Sequence, residues 1–357
     1  MKILALDIGA GTEDILLYDS ERKNIENCIK LVLPTPSVTY AKKVCEATIE
    51  KKNVFVKGSI IGGGALSYAL RNHIKAGLRV FITRKAAYTI RNDLDQVIDA
   101  GFEIRNKEEM DNFEGKIIDL EEINIGQLGI FLANFGEDLS DVDYVAIAVQ
   151  DHGISPKKMT DRQFRIKKME KFLRKNPKPE GLAFKEENIP KYLLRMKSAS
   201  EDSKKYLPKA KVLLMDTAPA AIYGCLQDPN VRKIHTKIVM NVGNGHTWAT
   251  IMKKNKIIAT MEHHTRMLTP EKLEKLLMRF ADGDLTNQEV FEDNGHGAFF
   301  IDNPGGFSKI EKIVATGPNR SILNKTKFET YFAAPYGDVM MTGPAGLIQA
   351  VKKIYAQ

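Results

Sequence analysis

Glycines, a hydroxyl and a carboxylate gathered in one tight turn can hold a phosphate, and Lys2 to Asp19, KILALDIGAGTEDILLYD, has that spacing. An apolar run, Ile3 to Leu6, ends in Asp7, passes through Gly9 to Thr12 and returns as Ile15 to Tyr18. That is strand, turn and strand, with no helix-period spacing between the runs. Gly9 and Gly11 allow backbone N–H groups to approach an anion without an intervening Cβ, and Thr12 adds a hydroxyl donor. Asp7 stands at the mouth of the turn, suited to a hydrated divalent cation beside a phosphate. An ordinary glycine-rich hairpin has the same pattern, so this stretch alone leaves both readings open.

The design recurs. KVLLMD (Lys211 to Asp216) is a buried strand followed by a small-residue helix, TAPAAIYGCL, and KIVMNVGNGHTWATIM (Lys237 to Met252) is again strand, Gly243-Asn244-Gly245 turn and strand. Both copies read as apolar run, Asp7 or Asn241, glycine turn, Thr12 or Thr247, apolar run. Two such hairpins suggest an internal duplication with a ligand in the cleft between the copies.

Acid–base groups cluster near these turns. YVAIAV (Tyr144 to Val149) reads as a fully buried strand that ends in Gln150, Asp151 and His152, where open α/β sheets carry their chemistry. IIATMEHHTRML is a strand with Glu262, His263 and His264 at its end, and DNGHGAFF is a loop with an exposed-looking His296. Five of the seven histidines lie in glycine- or acid-flanked turns, and histidine suits proton transfer near neutrality. His152, His246 and at least one of His263 and His264 are therefore candidate site residues. Glu262, His263, His264 and His296 form an alternative metal set, although no pair has the i, i+4 spacing of a helical metal site.

The elements that must position these groups are mostly α/β. Cys28 to Leu33 reads as a third strand ending at Pro34-Thr35-Pro36. From Asn53 the pattern is strand, helix, strand, helix (Arg84 to Ala100) and strand (Phe102 to Ile104), a small parallel α/β unit whose first helix opens at Gly62, Gly63 and Gly64. Pro270 to Phe280 is an amphipathic helix, and Asp338 to Tyr355 is a strand or turn followed by a closing helix.

Bulk composition bounds the rest. The 357 residues suit two domains, and 43% apolar content is that of a globular protein. No apolar segment reaches membrane-spanning length and the N-terminus lacks a signal-peptide succession, so a cytoplasmic protein without membrane partners is expected. Three cysteines, Cys28, Cys45 and Cys225, match no disulfide framework, zinc knuckle or iron–sulfur triad. The net charge of +8 concentrates between Gly153 and Lys209, where 17 Lys/Arg face 7 Asp/Glu. Aromatic residues are not interleaved there at base-stacking spacing, which argues against nucleic acid and for a solvated face.

In order and spacing the motifs resemble the superfamily that contains actin, Hsp70-type chaperones and the sugar and acetate kinases. DIGAGTED resembles its first phosphate motif, DTAPAAIYG the connecting helix, MNVGNGHT the second phosphate motif and IVATGPNR the adenosine motif. GGGAL, AVQDHG, GNGHT and EHHT together resemble a largely archaeal family labelled pyruvate formate-lyase activating enzyme-like, a label the cysteine spacing does not support.

The resemblance implies a two-lobed actin-like ATPase (ribonuclease H-like) fold with a small α/β insertion, each lobe holding a five-stranded mixed sheet and the two closing on ATP and Mg²⁺. Lobe I would comprise residues 1–230 plus 331–357, with insertions at 53–105 and 153–209; lobe II would comprise 231–330. Gly9, Gly11 and Thr12 would take the phosphates from one side and Gly243, Gly245 and Thr247 from the other. Gly317 and Pro318 would lie against the nucleoside, and Asp7 and Asp216 would bracket the magnesium. Asp151 or Asp216 would orient the nucleophile. Asn241 departs from the aspartate usual in the second motif. An ATP-dependent phosphotransferase or ATPase is expected, with a small-molecule or protein acceptor left unnamed and a homodimer left open. A metal-dependent hydrolase or lyase using the His/Asp/Glu cluster, and a nucleotide-gated binding module, are the alternatives.

Overall fold

The computed structural model describes residues 1–110 and 113–355. The chain begins as an antiparallel meander, β1 (Lys2–Ile8), β2 (Thr12–Asp19) and β3 (Ile29–Pro34). It then leaves for a small unit with β4 (Val54–Gly58), β5 (Val80–Thr83), β6 (Glu103–Arg105) and β7 (Lys116–Leu120). It returns to the first sheet as β8 (Tyr144–Val149), β9 (Ala183–Lys185) and β10 (Lys211–Met215). A second sheet follows, built from β11 (Thr236–Val242), β12 (His246–Lys253), β13 (Lys256–His264), β14 (Gly297–Phe300), β15 (Lys312–Thr316) and β16 (Thr330–Phe332).

The first sheet has the order β3-β2-β1-β8-β10-β9 and the second β14-β13-β12-β11-β15-β16. Without the edge strands β9 and β14, both read third, second, first, fourth, fifth. In both, the first three strands are antiparallel and the fourth joins the first in parallel. This repeated mixed sheet is the two-lobed actin-like, ribonuclease H-like fold. Each sheet carries a sixth strand where the resemblance implies five. Burial explains the central position of β1 and β8. Ile3 to Leu6 and Val145 to Val149 are fully buried on both faces, as a strand covered by helices on each side requires.

The small sheet, β6-β5-β4-β7, is all parallel and draws on more chain than 53–105. Its core includes Tyr40, Val44 and Ala47 from a helix, Pro36–Ile49, that the sequence reading passed over as a turn. Pro36 stands at the first helical position, where a missing N–H costs nothing. The expected helix from Arg84 to Ala100 is instead two short ones, Arg84–Ala87 and Leu94–Asp99. Asp93 accepts from the Asp95 N–H and so starts a new helix.

Two helices, Thr217–Cys225 and Thr342–Tyr355, run between the main sheets. Ile222, Leu347 and Ile348 share one core with Ala5 and Ala148 of the first sheet and Val239 and Trp248 of the second. Glycines let the helices meet: a Cβ on Gly346 would strike the Ala220 carbonyl, and one on Gly224 the Thr342 carbonyl. Among the described residues no helix is long and apolar enough to cross a membrane.

Candidate functional site

A cavity of about 1480 Å³ opens between the two main sheets, with the small sheet's Gly62 to Gly64 on a third wall. The β1–β2 and β11–β12 turns project into it from opposite sides. Their backbones match: Gly9 N donates to Thr12 O at 2.9 Å, and Gly243 N to His246 O at 3.0 Å. The tips touch across the cleft, since a Cβ on Gly11 would collide with the Asn244 amide and one on Gly245 would lie 3.8 Å from the Ala10 methyl.

The matched turns correct the side-chain pairing read from sequence. Asp7 faces Asp14 and Ile8 faces Glu13 in the first hairpin; Asn241 faces Trp248 and Val242 faces Thr247 in the second. The counterpart of Thr12 is therefore His246, not Thr247. Thr247 is fully buried, its hydroxyl 3.0 Å from that of Thr265, and it does not line the cavity. Asn241, Gly243, Gly245, Gly317 and Pro318 all do, as do Gly9 and Thr12.

Asp7 lies beneath the first turn with one carboxylate oxygen, Oδ1, buried and without a partner. Gly343, at the start of the last helix, leaves room for its other oxygen; a Cβ there would strike it. Burial first, then Asp14 and Asp216, push the Asp7 carboxyl well above its usual range. Asp14, on the same strand-pair face, also has an unpartnered buried oxygen, and burial raises it to about 7. The antiparallel register makes this pairing readable from sequence once the turn length is known.

Three other expected carboxylates are already committed. Arg165, on the helix Asp161–Lys175, donates to Asp216 at 2.6 and 3.0 Å and to Glu262 at 2.9 and 3.2 Å. Gln150 adds a bond to Glu262 at 3.1 Å. Burial pushes Glu262 up, but Arg165 and the neighbouring histidines outweigh it and hold the carboxyl far below its usual range. Asp216 thus has a guanidinium where the resemblance implies magnesium. Asp151 spends both oxygens on backbone, accepting from Gly153 N at 2.8 Å and Met196 N at 3.0 Å. Sequence reasoning missed Arg165; its signal was a cation between Phe164 and Ile166 on a buried helix face.

The histidines divide by strand parity. Along β13 Glu262 and His264 face the cavity, whereas His263 points the other way, with Nε2 3.1 Å from Asp293 Oδ2. His296, read as exposed, is 1% exposed and sits just before β14, its backbone N–H bonded to the Glu262 carbonyl at 2.9 Å. His152, at the end of β8, brings Nε2 to 3.0 Å from His296 Nε2. The His246 ring centroid is 4.7 Å from that of His264 and 4.7 Å from that of His296. Burial lowers all four: His264 to about 4, His296 to about 3, with His152 and His246 also below the usual value. They are neutral imidazoles at neutral pH, able to accept protons or ligate metal.

The repeated sheet and the facing turns define the two-lobed actin-like fold. More narrowly, the chain belongs to the family described as "Putative pyruvate format-lyase activating enzyme (DUF1786)", which matches residues 61–322. No curated protein matches it. Among solved structures it is similar to the ethanolamine utilization protein EutJ from Carboxydothermus hydrogenoformans, at 10% identity over 97% of this chain and 89% of that one, with a TM-score of 0.36. It is similar to a ROK hexokinase from Thermus thermophilus at 11% identity over 99% and 100%, TM-score 0.30. It is also similar to the activator of the 2-hydroxyisocaproyl-CoA dehydratase from Clostridium difficile, at 8% over 100% and 98%, TM-score 0.35. The fold assignment rests on the strand order and register given above.

Proposed function

We propose that the cleft binds ATP with Mg²⁺ and that the protein is a phosphotransferase or ATPase. One observation carries the reading: two matched glycine turns meet tip to tip across a cavity, with a buried, unpartnered Asp7 oxygen beneath one of them. Backbone N–H groups of Gly9 to Thr12 and of Gly243 to His246 would hold the phosphates, Gly317 and Pro318 would flank the nucleoside, and Asp7 with Asp14 would hold the magnesium. When bound, magnesium supplies charge neutralisation at the phosphoryl oxygens. It would also offset the repulsion from Asp14 that, after burial, raises the Asp7 carboxyl.

Asp151 and Asp216 are both occupied, so the orienting of an acceptor falls to other groups. At the mouth, Arg84, Arg91, Lys157, Lys158 and Arg266 line the cavity, which favours an anionic acceptor. The family's descriptive label finds no support in the cysteines: Cys28 and Cys225 are buried, and exposed Cys45 belongs to the helix that covers the small sheet.

Isothermal titration with Mg–ATP and Mg–ADP tests the reading. Saturable heat that requires magnesium is expected, followed by phosphate release or transfer. Absence of heat at millimolar nucleotide from folded protein overturns it, and binding without turnover leaves a nucleotide-gated binding module.

A further inference from the structure

The cleft holds a second set of donors that phosphate binding does not use. One ring nitrogen from each of His152, His246 and His296 lies within 4.8 Å of the others, and this is the metal-competent group among the described residues. We infer that these three histidines form a binding site for a first-row divalent transition metal, zinc being the representative ion, which bridges the two lobes and keeps an open coordination position facing the cavity.

Donor type, spacing and anchoring all support the assignment. Three imidazole nitrogens select zinc, cobalt, nickel or iron(II) over magnesium or calcium, which take oxygen. Metal–nitrogen bonds of ~2.1 Å put neighbouring ligand nitrogens ~3.0–3.4 Å apart, so small rotamer changes suffice to close a set already within 4.8 Å. The 3.0 Å separation of the His152 and His296 Nε2 atoms already has that value. A plain hydrogen bond between those two rings accounts for less of what is observed. It gives no reason for the His246 and His264 rings to gather at 4.7 and 4.9 Å from His296.

The three backbones are fastened before any ion arrives. Asp151 clamps the turn that carries His152 through Gly153 N and Met196 N. His246 begins β12 in register with His264. Arg162 holds the loop before His296 by donating to Gly295 O at 2.6 Å. Charge is also provided for: the adjoining Asp216, Arg165 and Glu262 sum to −1, which offsets part of a divalent ion's charge without a carboxylate ligand. His152 comes from the first main sheet and His246 and His296 from the second, so the ion fastens the lobes together. His264, lining the same cavity, would contact a water or substrate oxygen in the open position.

Tag-free protein, stripped with a chelator and dialysed, should bind Zn²⁺ or Co²⁺ at about one equivalent per chain, with cobalt giving the visible bands of a nitrogen-rich site of low coordination number and the melting temperature rising on loading. His246→Gln and His296→Gln should each weaken cobalt affinity by at least ~100-fold, while His235→Gln, remote from the cluster, should leave it unchanged. Should either variant fold poorly by circular dichroism, His152→Gln supplies the same reading from the other lobe. Wild-type protein that stays folded yet takes up no cobalt at micromolar metal overturns the proposal. So do histidine variants that bind cobalt as tightly as the wild type. Because the probe is metal alone, either outcome is independent of whether ATP binds.

Discussion

The two hairpins share a backbone and differ in the side chains at their paired positions. Position for position, Asp7, Thr12 and Asp14 in the first correspond to Asn241, His246 and Trp248 in the second. The first therefore offers hard oxygen donors in a desolvated pocket and the second a nitrogen donor beside three further imidazoles. The two turns share two glycines and flanking strands, which is what backbone N–H groups need in order to take up the proposed phosphates. Side chains were free to diverge, and the divergence splits the cleft into an acidic half and an imidazole half.

The most damaging way to break that division is to remove the cation between the halves. Arg165→Leu leaves Asp216 and Glu262 buried without a countercharge and should cost about 3–5 kcal/mol, read by urea denaturation. Loss of less than ~1 kcal/mol would mean that the carboxylates take up protons or a partner at little cost.

The halves should also differ in sign with pH. Asp14 is raised from 3.8 to about 7, so the folded protein binds that proton more tightly than the unfolded chain, and stability falls as pH rises between those values. Asp14→Asn should accordingly stabilise the protein above pH 7, by ~2 kcal/mol after allowance for partial solvent access, and should weaken magnesium-dependent binding. His264 is lowered from 6.5 to about 4, so its contribution is complete above pH 6.5 and disappears as pH falls toward 4. Thermal melts across that window should lose ~2 kcal/mol from this half-exposed group, and His264→Gln should flatten the profile. A flat wild-type profile would remove the imidazole half from the comparison.

Smaller effects sharpen the contrast at the paired positions. Asp7→Asn makes the first hairpin resemble the second and should reduce Mg–ATP affinity about tenfold, or ~1.4 kcal/mol, with little change for nucleotide in EDTA. Asn241→Asp makes the second resemble the first and should alter magnesium affinity by only ~0.5 kcal/mol, in either direction, by titration. An effect larger than that of Asp7→Asn would reverse the assignment of the acidic half.

Much of the fold was legible because its signals are local. The apolar runs of β1, β8 and β11, the glycine turns and their order along the chain identified the duplicated sheets. The helix Pro36–Ile49 was not, because its buried residues face a sheet whose strands come later in the chain.

Within the site, sequence by itself determined the two turns, the acid at Asp7, its absence at Asn241 and the presence of histidines nearby. Local rules suffice there, since strand alternation and turn length are set by residues a few positions apart. Only the tertiary structure decided that His152, His246, His264 and His296 converge while His263 turns away, that Arg165 claims Asp216 and Glu262, and that His246 replaces Thr247 as the partner of Thr12. Those relations cross between the two sheets. Their distances follow from how closely the helices Thr217–Cys225 and Thr342–Tyr355 approach through Gly224 and Gly346, a packing result that no single segment encodes.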